Sequence, residues 1–204
     1  QAGGSLNLYA LRNVDLTLFG GQESAAAVNN GVNPLLVILL SPVFAALWVW
    51  LSSRRIEPNT PMKFGLAFLQ LALGFYMFIL GGSFADNGMV PIIYFILGYM
   101  FLSSGELCIS PIGLSMITKL SPARLVGMMM GAWFLASAFG QFVAGKVGAM
   151  MAMPTVDGET TLPPAESLLI YSGVFQDIAY ISLGAGVLLL ALTPVLKKWM
   201  HGIH

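Results

Sequence analysis

The chain has 204 residues, of which 57% are hydrophobic and 9% are charged, and its mean hydropathy is +0.81. Soluble domains carry about 25% charged residues, so this composition excludes an ordinary soluble domain and indicates a membrane protein. The nine basic and nine acidic residues give a formal net charge of zero, which provides no overall attraction to nucleic acid.

Residues 1–16 are apolar but too few to cross a bilayer, so we predict that they end a transmembrane helix that begins upstream. No secretory signal is predicted, because no charged segment precedes the apolar residues. We expect residues 17–34 to form an outer loop. Asn33 and Pro34 then fit the N-cap and the first position of the next helix. A ligand-contacting role for Asn33 is the alternative.

Five further stretches are long and apolar enough to cross a bilayer as helices, which takes about 20 residues. Polar segments rich in Pro, Gly, Asn and Ser separate these stretches, and residues 196–204 are predicted to form a cytoplasmic tail. The predicted helices cover about 35–53, 64–84, 90–117, 126–151 and 173–195.

Most charged residues separate between the two ends of the predicted bundle, although Arg12 and Lys146, toward the end that carries the acidic residues, break the pattern. A basic set falls at one end, where Glu57 is the single acidic residue, and an acidic set falls at or near the other end. The excess of Lys and Arg predicts that the basic end and the C-terminus face the cytoplasm. The basic set is Arg54, Arg55, Lys63, Lys119, Arg124, Lys197 and Lys198, and the acidic set is Asp15, Glu23, Asp86, Asp157, Glu159, Glu166 and Asp177.

Glu106 is an acidic residue deep inside a predicted span, within the sequence GELCISP. A charge at that depth costs at least about 2.5–3.5 kcal/mol, so the side chain should face a cavity or a partner. Ser110 lies one helical turn further along the same face, and Leu114 lies one turn beyond it. We interpret Glu106 as a substrate or proton site. The alternative is a carboxyl group that only holds helices of the bundle together.

Helix 126–151 carries three further features. Trp133 lies deeper than an interfacial aromatic belt, so it either lines a cavity or packs within the bundle. Lys146 either extends to the interface or faces a cavity. Gly127 and Gly131 have the GxxxG spacing, which predicts close packing against a neighbouring helix.

No pattern in the chain supports an enzyme or a metal site. His201 and His204 lie in the tail without a nearby cysteine or acid, and the single cysteine, Cys108, lies in an apolar run. The chain contains no Ser-His-Asp arrangement that can be argued and no phosphate-binding loop. We therefore expect no catalytic residue, no metal and no cofactor.

Four segments resemble helices of the proton-dependent oligopeptide transporter family, which belongs to the major facilitator superfamily. SLNLYALRNVD (5–15) is similar to the end of its seventh helix, and VNPLLVILLSPVFAALW (32–48) is similar to its eighth. GELCISPIGLSMITKLSP (105–122) and GMMMGAWFLASAFGQFVAG (127–145) resemble its tenth and eleventh helices. The resemblance extends along the chain in the same order and spacing.

The resemblance implies an all-α polytopic membrane helix bundle: the C-terminal six-helix half of a major facilitator fold, with its first helix truncated. Residues 1–16 would end helix seven, and residues 35–195 would form helices eight to twelve. The implied function is proton-coupled symport of di- and tripeptides across the cell (inner) membrane by alternating access. The proton gradient would be the energy source. The implied partners are peptides, protons, membrane lipid and an N-terminal six-helix half.

The resemblance also implies roles for five residues. Glu106 matches the glutamate that receives the amino terminus of the peptide, and Asn33 matches an asparagine that also contacts the peptide. Ser110 and Trp133 match positions that line the same cavity, and Leu114 matches a residue of the cytoplasmic gate. The E-x-x-E-R element that the family carries in its first helix has no counterpart in this chain.

Two alternatives to peptide transport remain open. One is another major facilitator transporter, for drugs or nitrate, and the other is a non-transporting membrane scaffold. The upstream sequence distinguishes them, because an E-x-x-E-R element there favours peptide transport.

Overall fold

The computed structural model describes residues 5–18, 21–22, 24–156, 159–160 and 162–199. Within these residues the chain forms six α-helices, which confirms the predicted all-α bundle. They are α1 Ser5–Asn13, α2 Ala25–Ser53, α3 Thr60–Gly82, α4 Ile92–Leu120, α5 Val126–Met150 and α6 Pro164–Trp199. Glu23, Asp157, His201 and His204 lie outside the described residues, as does most of the predicted tail.

Five of these helices contain an apolar segment long enough to cross a membrane. The segments are Asn30–Ser53, Thr60–Gly82, Ile92–Leu120, Ala123–Met150 and Pro164–Lys198, of which the fourth includes the 3-10 turn Ala123–Leu125 before α5. Helix α6 has 36 residues and is therefore about 54 Å long, whereas the hydrocarbon core of a bilayer is about 30 Å thick. Part of α6 must therefore extend beyond the hydrocarbon.

Three pairs of two-residue strands lie in the connections. Strand β1 (Val14–Asp15) pairs in parallel with β4 (Val90–Pro91). Strand β2 (Thr17–Leu18) pairs antiparallel with β3 (Gly21–Gln22), and β5 (Thr155–Val156) pairs antiparallel with β6 (Glu159–Thr160). These pairs tie loops to one another and form no extended sheet within the described residues.

Helix α2 begins well before the predicted residue. We expected a loop over 17–34 with Asn33 as the N-cap, but the N-cap is Ser24, whose Oγ accepts a hydrogen bond from the Ala27 N–H at 3.2 Å. Asn33 and Pro34 lie inside the helix, so the N-cap interpretation is wrong. Hydropathy identifies only the apolar part of a helix. The residues after Ser24 include three alanines, which favour a helix, so α2 begins before its apolar part. Helix α6 likewise begins at Pro164, before residue 173.

The buried core lies at the end of the bundle that contains the α3–α4 and α5–α6 connections, called here the acidic end. Tyr9 of α1 is fully buried at its centre. The ring centroids of Phe78, Phe95, Tyr171 and Phe175 lie 5.0–6.4 Å from that of Tyr9, mostly in tilted or edge-on arrangements. Because a helix of 9 residues is marginal alone, this packing must stabilise α1.

Asn13 joins the connections at the acidic end. Its Nδ2 donates hydrogen bonds to the carbonyl oxygens of Gly88 at 3.0 Å and Pro164 at 2.7 Å. Its Oδ1 accepts a hydrogen bond from Ser167 Oγ at 2.9 Å, so both ends of this buried amide are satisfied. Gly88 has a φ of 81° in the turn between α3 and α4, a conformation that glycine adopts without strain.

Helix α5 packs differently from the prediction, because none of its described residues is buried. Apart from the chain neighbours and the backbone of the same helix, no described atom lies within 4 Å of the position that a Cβ would take at Gly127 or Gly131. The GxxxG spacing therefore marks no close contact among the described residues, and that expectation is not met. Lys146 is exposed, with its Nζ 5.5 Å from the ring centroid of Phe142 on the same helix.

Replacement of Gly98 by alanine should lower the stability of the bundle. A Cβ at position 98 would lie 2.2 Å from the ring of Phe78, which is buried among other aromatic rings and has no room to move. We expect the free energy of unfolding to fall by about 1–3 kcal/mol, as for other overpacked cores. The measurement is the thermal unfolding midpoint of the purified protein in detergent.

Gly184→Ala is the matched control, because no described atom outside the neighbouring backbone of α6 lies within 4 Å of the corresponding Cβ position. This substitution should leave the midpoint unchanged or raise it slightly, since alanine favours the helix. Equal midpoints for the two variants would contradict the close approach of Gly98 and Phe78.

Candidate functional site

Three consecutive residues fix the rotation of α4 about its axis. Ser103 Oγ donates a hydrogen bond to Asn33 Oδ1 on α2 at 2.7 Å. Ser104 Oγ donates one to Gln70 Oε1 on α3. Gly105 also faces α3, because a Cβ there would come within 3.0 Å of a backbone carbonyl oxygen of that helix. Successive residues of a helix point about 100° apart, so these contacts leave a separate direction for the next residue.

That next residue is Glu106, and its side chain is exposed. Among the described residues, no hydrogen-bond donor or basic side chain pairs with its carboxylate; the salt bridge that they form joins Lys63 and Glu57. The interpretation of Glu106 as a residue that holds helices together therefore has no supporting contact in the described part of the chain. A carboxylate in an apolar span requires water, a cation or another part of the protein beside it.

The other predicted site residues of α4 follow Glu106 at helical spacing. Ser110 is exposed, and Leu114 is partly exposed. Glu106, Ser110 and Leu114 therefore lie along one face of α4, as their spacing predicts. Asn33 is partly buried and reaches this helix through its hydrogen bond with Ser103, three residues before Glu106.

Trp133 approaches α4 at a different level. Its indole ring covers Gly113, where a Cβ would come within 2.4 Å of the ring. Gly113 follows Glu106 by seven residues, which places it about 10 Å further along the helix axis. Trp133 thus packs α5 against α4 on the same side as Glu106, and its contact with α4 lies at Gly113 rather than at the carboxylate.

Sequence reasoning missed the polar contacts that hold this arrangement. Gln70 Nε2 also approaches the sulfur of buried Cys108 at 3.5 Å, which adds to the contact between α3 and α4. The sequence does indicate such a contact, because Gln70 is an amide inside an otherwise apolar span. Membrane helices form hydrogen bonds with one another through such side chains. Ser103 and Ser104, adjacent in the middle of α4, carried the same signal.

A separate concavity of about 480 Å³ lies between α2, α3 and α4, toward the end with the α2–α3 and α4–α5 connections, called here the basic end. The five predicted site residues do not line it. Its lining includes Lys63, whose Nζ lies 2.5 Å from Glu57 Oε1 and 4.5 Å from the ring centroid of Trp48. The hydrogen bond from Lys63 lowers the pKa of Glu57 below its usual value.

The described residues contain no cluster of three or more His, Cys, Asp or Glu side chains that could hold a metal ion. What they contain is a set of apolar spans with a carboxylate, a hydroxyl and an amide on one side of α4. These features define a multi-pass membrane protein with polar side chains on one side of a spanning helix. Comparison with known proteins identifies the family.

The family model described as the POT family matches residues 1–164, and the chain belongs to this family. The chain is 35% identical over 198 residues to dipeptide and tripeptide permease B of Aliivibrio fischeri, covering 96% of this chain and 39% of that protein. It is 36% identical over 199 residues to dipeptide and tripeptide permease A of Edwardsiella piscicida, covering 97% and 39%. The chain thus spans about two fifths of the length of these curated relatives.

Solved structures show the same fold. A crystal structure of the peptide transporter POT in complex with sulfate matches with a TM-score of 0.78 and 32% identity, over 95% of this chain and 36% of that chain. A crystal structure of tetrameric PepTSo2 matches with a TM-score of 0.76 and 32% identity, over 96% and 38%. These comparisons confirm the resemblance stated from the sequence.

Replacement of Ser103 by alanine should loosen α2 from α4. The change removes the hydroxyl that donates to Asn33 and leaves a partly buried amide oxygen without that hydrogen bond. We expect a loss of about 0.5–1.5 kcal/mol in the free energy of unfolding, measured from thermal unfolding in detergent. Ser137→Ala is the control, because Ser137 is exposed and bonds only the Trp133 carbonyl oxygen of its own helix, at 3.2 Å. A loss no larger than that of the control would show that the contact contributes little.

Proposed function

We propose that the chain forms the C-terminal half of a proton-coupled transporter of di- and tripeptides. The observation that carries the proposal is the exposed Glu106 carboxylate, which has no partner among the described residues although it lies in the middle of a spanning helix. The relatives named dipeptide and tripeptide permeases support the substrate class. A scaffold role would instead call for a helix partner of Glu106, and the described residues provide none.

In this proposal Glu106 binds the ammonium group of the peptide. Every unmodified peptide carries an ammonium at one end and a carboxylate at the other, so a site that binds the ends accepts many side chains. A carboxylate attracts an ammonium far more strongly in a low-dielectric cavity than in water. The Asn33 amide and the Ser110 hydroxyl supply further polar groups near Glu106. Trp133, on α5, forms an apolar wall against α4 at the level of Gly113. Leu114, two turns after Glu106 toward the basic end, serves in a gate.

The remaining components belong to a second half of the transporter. We assign α1 to the end of helix seven and α2–α6 to helices eight to twelve, so that an N-terminal six-helix half faces Glu106. That half would bind the peptide carboxylate and carry most of the proton pathway. Rocking of the two halves would expose the site alternately to each side of the inner membrane, with the proton gradient as energy source and no cofactor. The basic end and the C-terminus would face the cytoplasm.

Glu106→Gln tests the assignment, because it retains the size of the side chain and removes its charge. We expect proton-driven dialanine uptake by the full-length transporter in proteoliposomes to fall at least about tenfold, the range expected for loss of a charge-assisted hydrogen bond. Dialanine binding should weaken in parallel, while the thermal unfolding midpoint should remain near that of the unmodified protein.

Glu166→Gln is the matched control, since Glu166 is an exposed acid in the first turn of α6 and lies at the acidic end. Its uptake should equal that of the unmodified transporter. Normal dialanine uptake by folded Glu106→Gln protein would remove Glu106 from the site. Absence of dialanine uptake by the folded, unmodified transporter would contradict the substrate class itself.

A further inference from the structure

A second cavity, which we call the basic cavity, lies at the basic end of the bundle and has a volume of about 500 Å³. It is an open cavity lined by the α2–α3 connection, the N-terminus of α3, and the last turns of α4 and α6. Four basic side chains line it, namely Arg55, Lys63, Lys119 and Lys197, against one acid, Glu57. Glu57 already binds Lys63 at 2.5 Å, so positive charge predominates in the cavity.

The backbone at Arg55 is strained. Its φ is 57°, in the left-handed region that favours glycine. Hydrogen bonds from the Arg55 N–H to Ser52 O at 3.0 Å and from the Ile56 N–H to Leu51 O at 3.1 Å close the C-terminus of α2 around this residue. Glycine is the usual residue at this position of such a turn. The chain instead keeps an unfavourable conformation at a position where the side chain lines the basic cavity.

An apolar groove of about 540 Å³ adjoins the basic cavity between α3, α4, α5 and α6. Thr60 lines both spaces. Leu120 and Leu196 line the groove. Leu120 directly follows Lys119, and Leu196 directly precedes Lys197; both of these lysines line the basic cavity. From this junction the groove extends along the bundle to Trp133. The positively charged cavity at the end of the helices therefore adjoins an apolar groove within the spans.

We propose that these two spaces bind one anionic phospholipid, with its phosphate headgroup in the basic cavity and an acyl chain in the apolar groove. Basic pockets between membrane helices at the positively charged side attract anionic headgroups. A free phosphate has no apolar chain to occupy the groove, and an uncharged lipid has no negative charge to pair with the lysines. Glu106 lines neither space, and the one residue shared with the proposed peptide site is Trp133, which lines the groove.

The chain offers two matched pairs of adjacent basic residues for the test. Arg55 and Lys197 line the basic cavity, whereas Arg54 and Lys198 do not line it. The Arg54 guanidinium instead lies 5.1 Å from the ring centroid of Trp50. Members of each pair have equal charge and nearly equal distance from the membrane surface, so they differ mainly in their access to the cavity.

The experiment measures binding of phosphatidylglycerol to the full-length protein in neutral detergent, by native mass spectrometry. Arg55→Gly and Lys197→Ala should each weaken binding about fivefold, the effect expected for one basic residue beside an anionic headgroup. Arg54→Ala and Lys198→Ala should change binding little. Arg55→Gly should also raise the thermal unfolding midpoint, because glycine relieves the strain at this φ, so its weaker binding cannot be attributed to unfolding.

Two further binding measurements, with a second lipid and with phosphate competitors, identify the ligand. Phosphatidylcholine with the same acyl chains should bind more weakly than phosphatidylglycerol, and glycerophosphate or inorganic phosphate should compete poorly. Equal losses within each pair would overturn the proposal in favour of a diffuse surface charge. Displacement of the lipid by millimolar inorganic phosphate would show a free-phosphate site. Equal binding of the two lipids would remove the headgroup from the interaction.

Discussion

The rotation of α4 about its axis is the constraint on which the candidate site depends. Ser103 binds α2, Ser104 binds α3, and Gly105 packs against the backbone of α3. With these directions taken, Glu106 points between the directions of Ser103 and Gly105, about 60° from Ser103 and on the opposite side from Ser104, and its side chain is exposed. The carboxylate is thus available because polar and small residues immediately before it hold the helix in one orientation, and not because the helix is loosely packed. The same rotation of α4 places Ser110 and Leu114, which follow Glu106 at helical spacing.

Packing is unequal along the bundle, and this inequality determines where the cavities lie. The acidic end holds a cluster of aromatic rings around Tyr9, together with the hydrogen bonds of Asn13, so its space is filled. Toward the basic end the helices separate, and the concavities lined by Lys63 and Lys119 open between them.

The sequence predicted the number and order of the spans. Hydrocarbon offers no hydrogen-bond partners to the backbone, so a segment that crosses it must be a helix, and an apolar helix can be recognised from the sequence. The sequence placed the start of α2 wrongly, since hydropathy does not register an Ala-rich turn that Ser24 caps outside the apolar segment. Glu106, Ser110 and Leu114 shared a face as expected, because spacing on one helix is local information. The hydrogen bond of Ser103 with Asn33 and the stacking of Trp133 on Gly113 depend on how helices pair, which local spacing does not contain.

Two kinds of exposed surface on this bundle have different meanings in a membrane. Large apolar side chains such as Leu135 and Phe139 of α5 are exposed, but lipid tails cover such groups at no cost, so they imply no partner. Charged groups are the opposite case, because hydrocarbon cannot solvate them. Glu106 in the middle of α4 and the lysines of the basic cavity are therefore the informative surfaces. In the two proposals, the carboxylate binds a cation in a shielded site, and the basic cavity binds an anion at the membrane boundary. The same solvation argument thus assigns opposite ligands to two sites in one bundle.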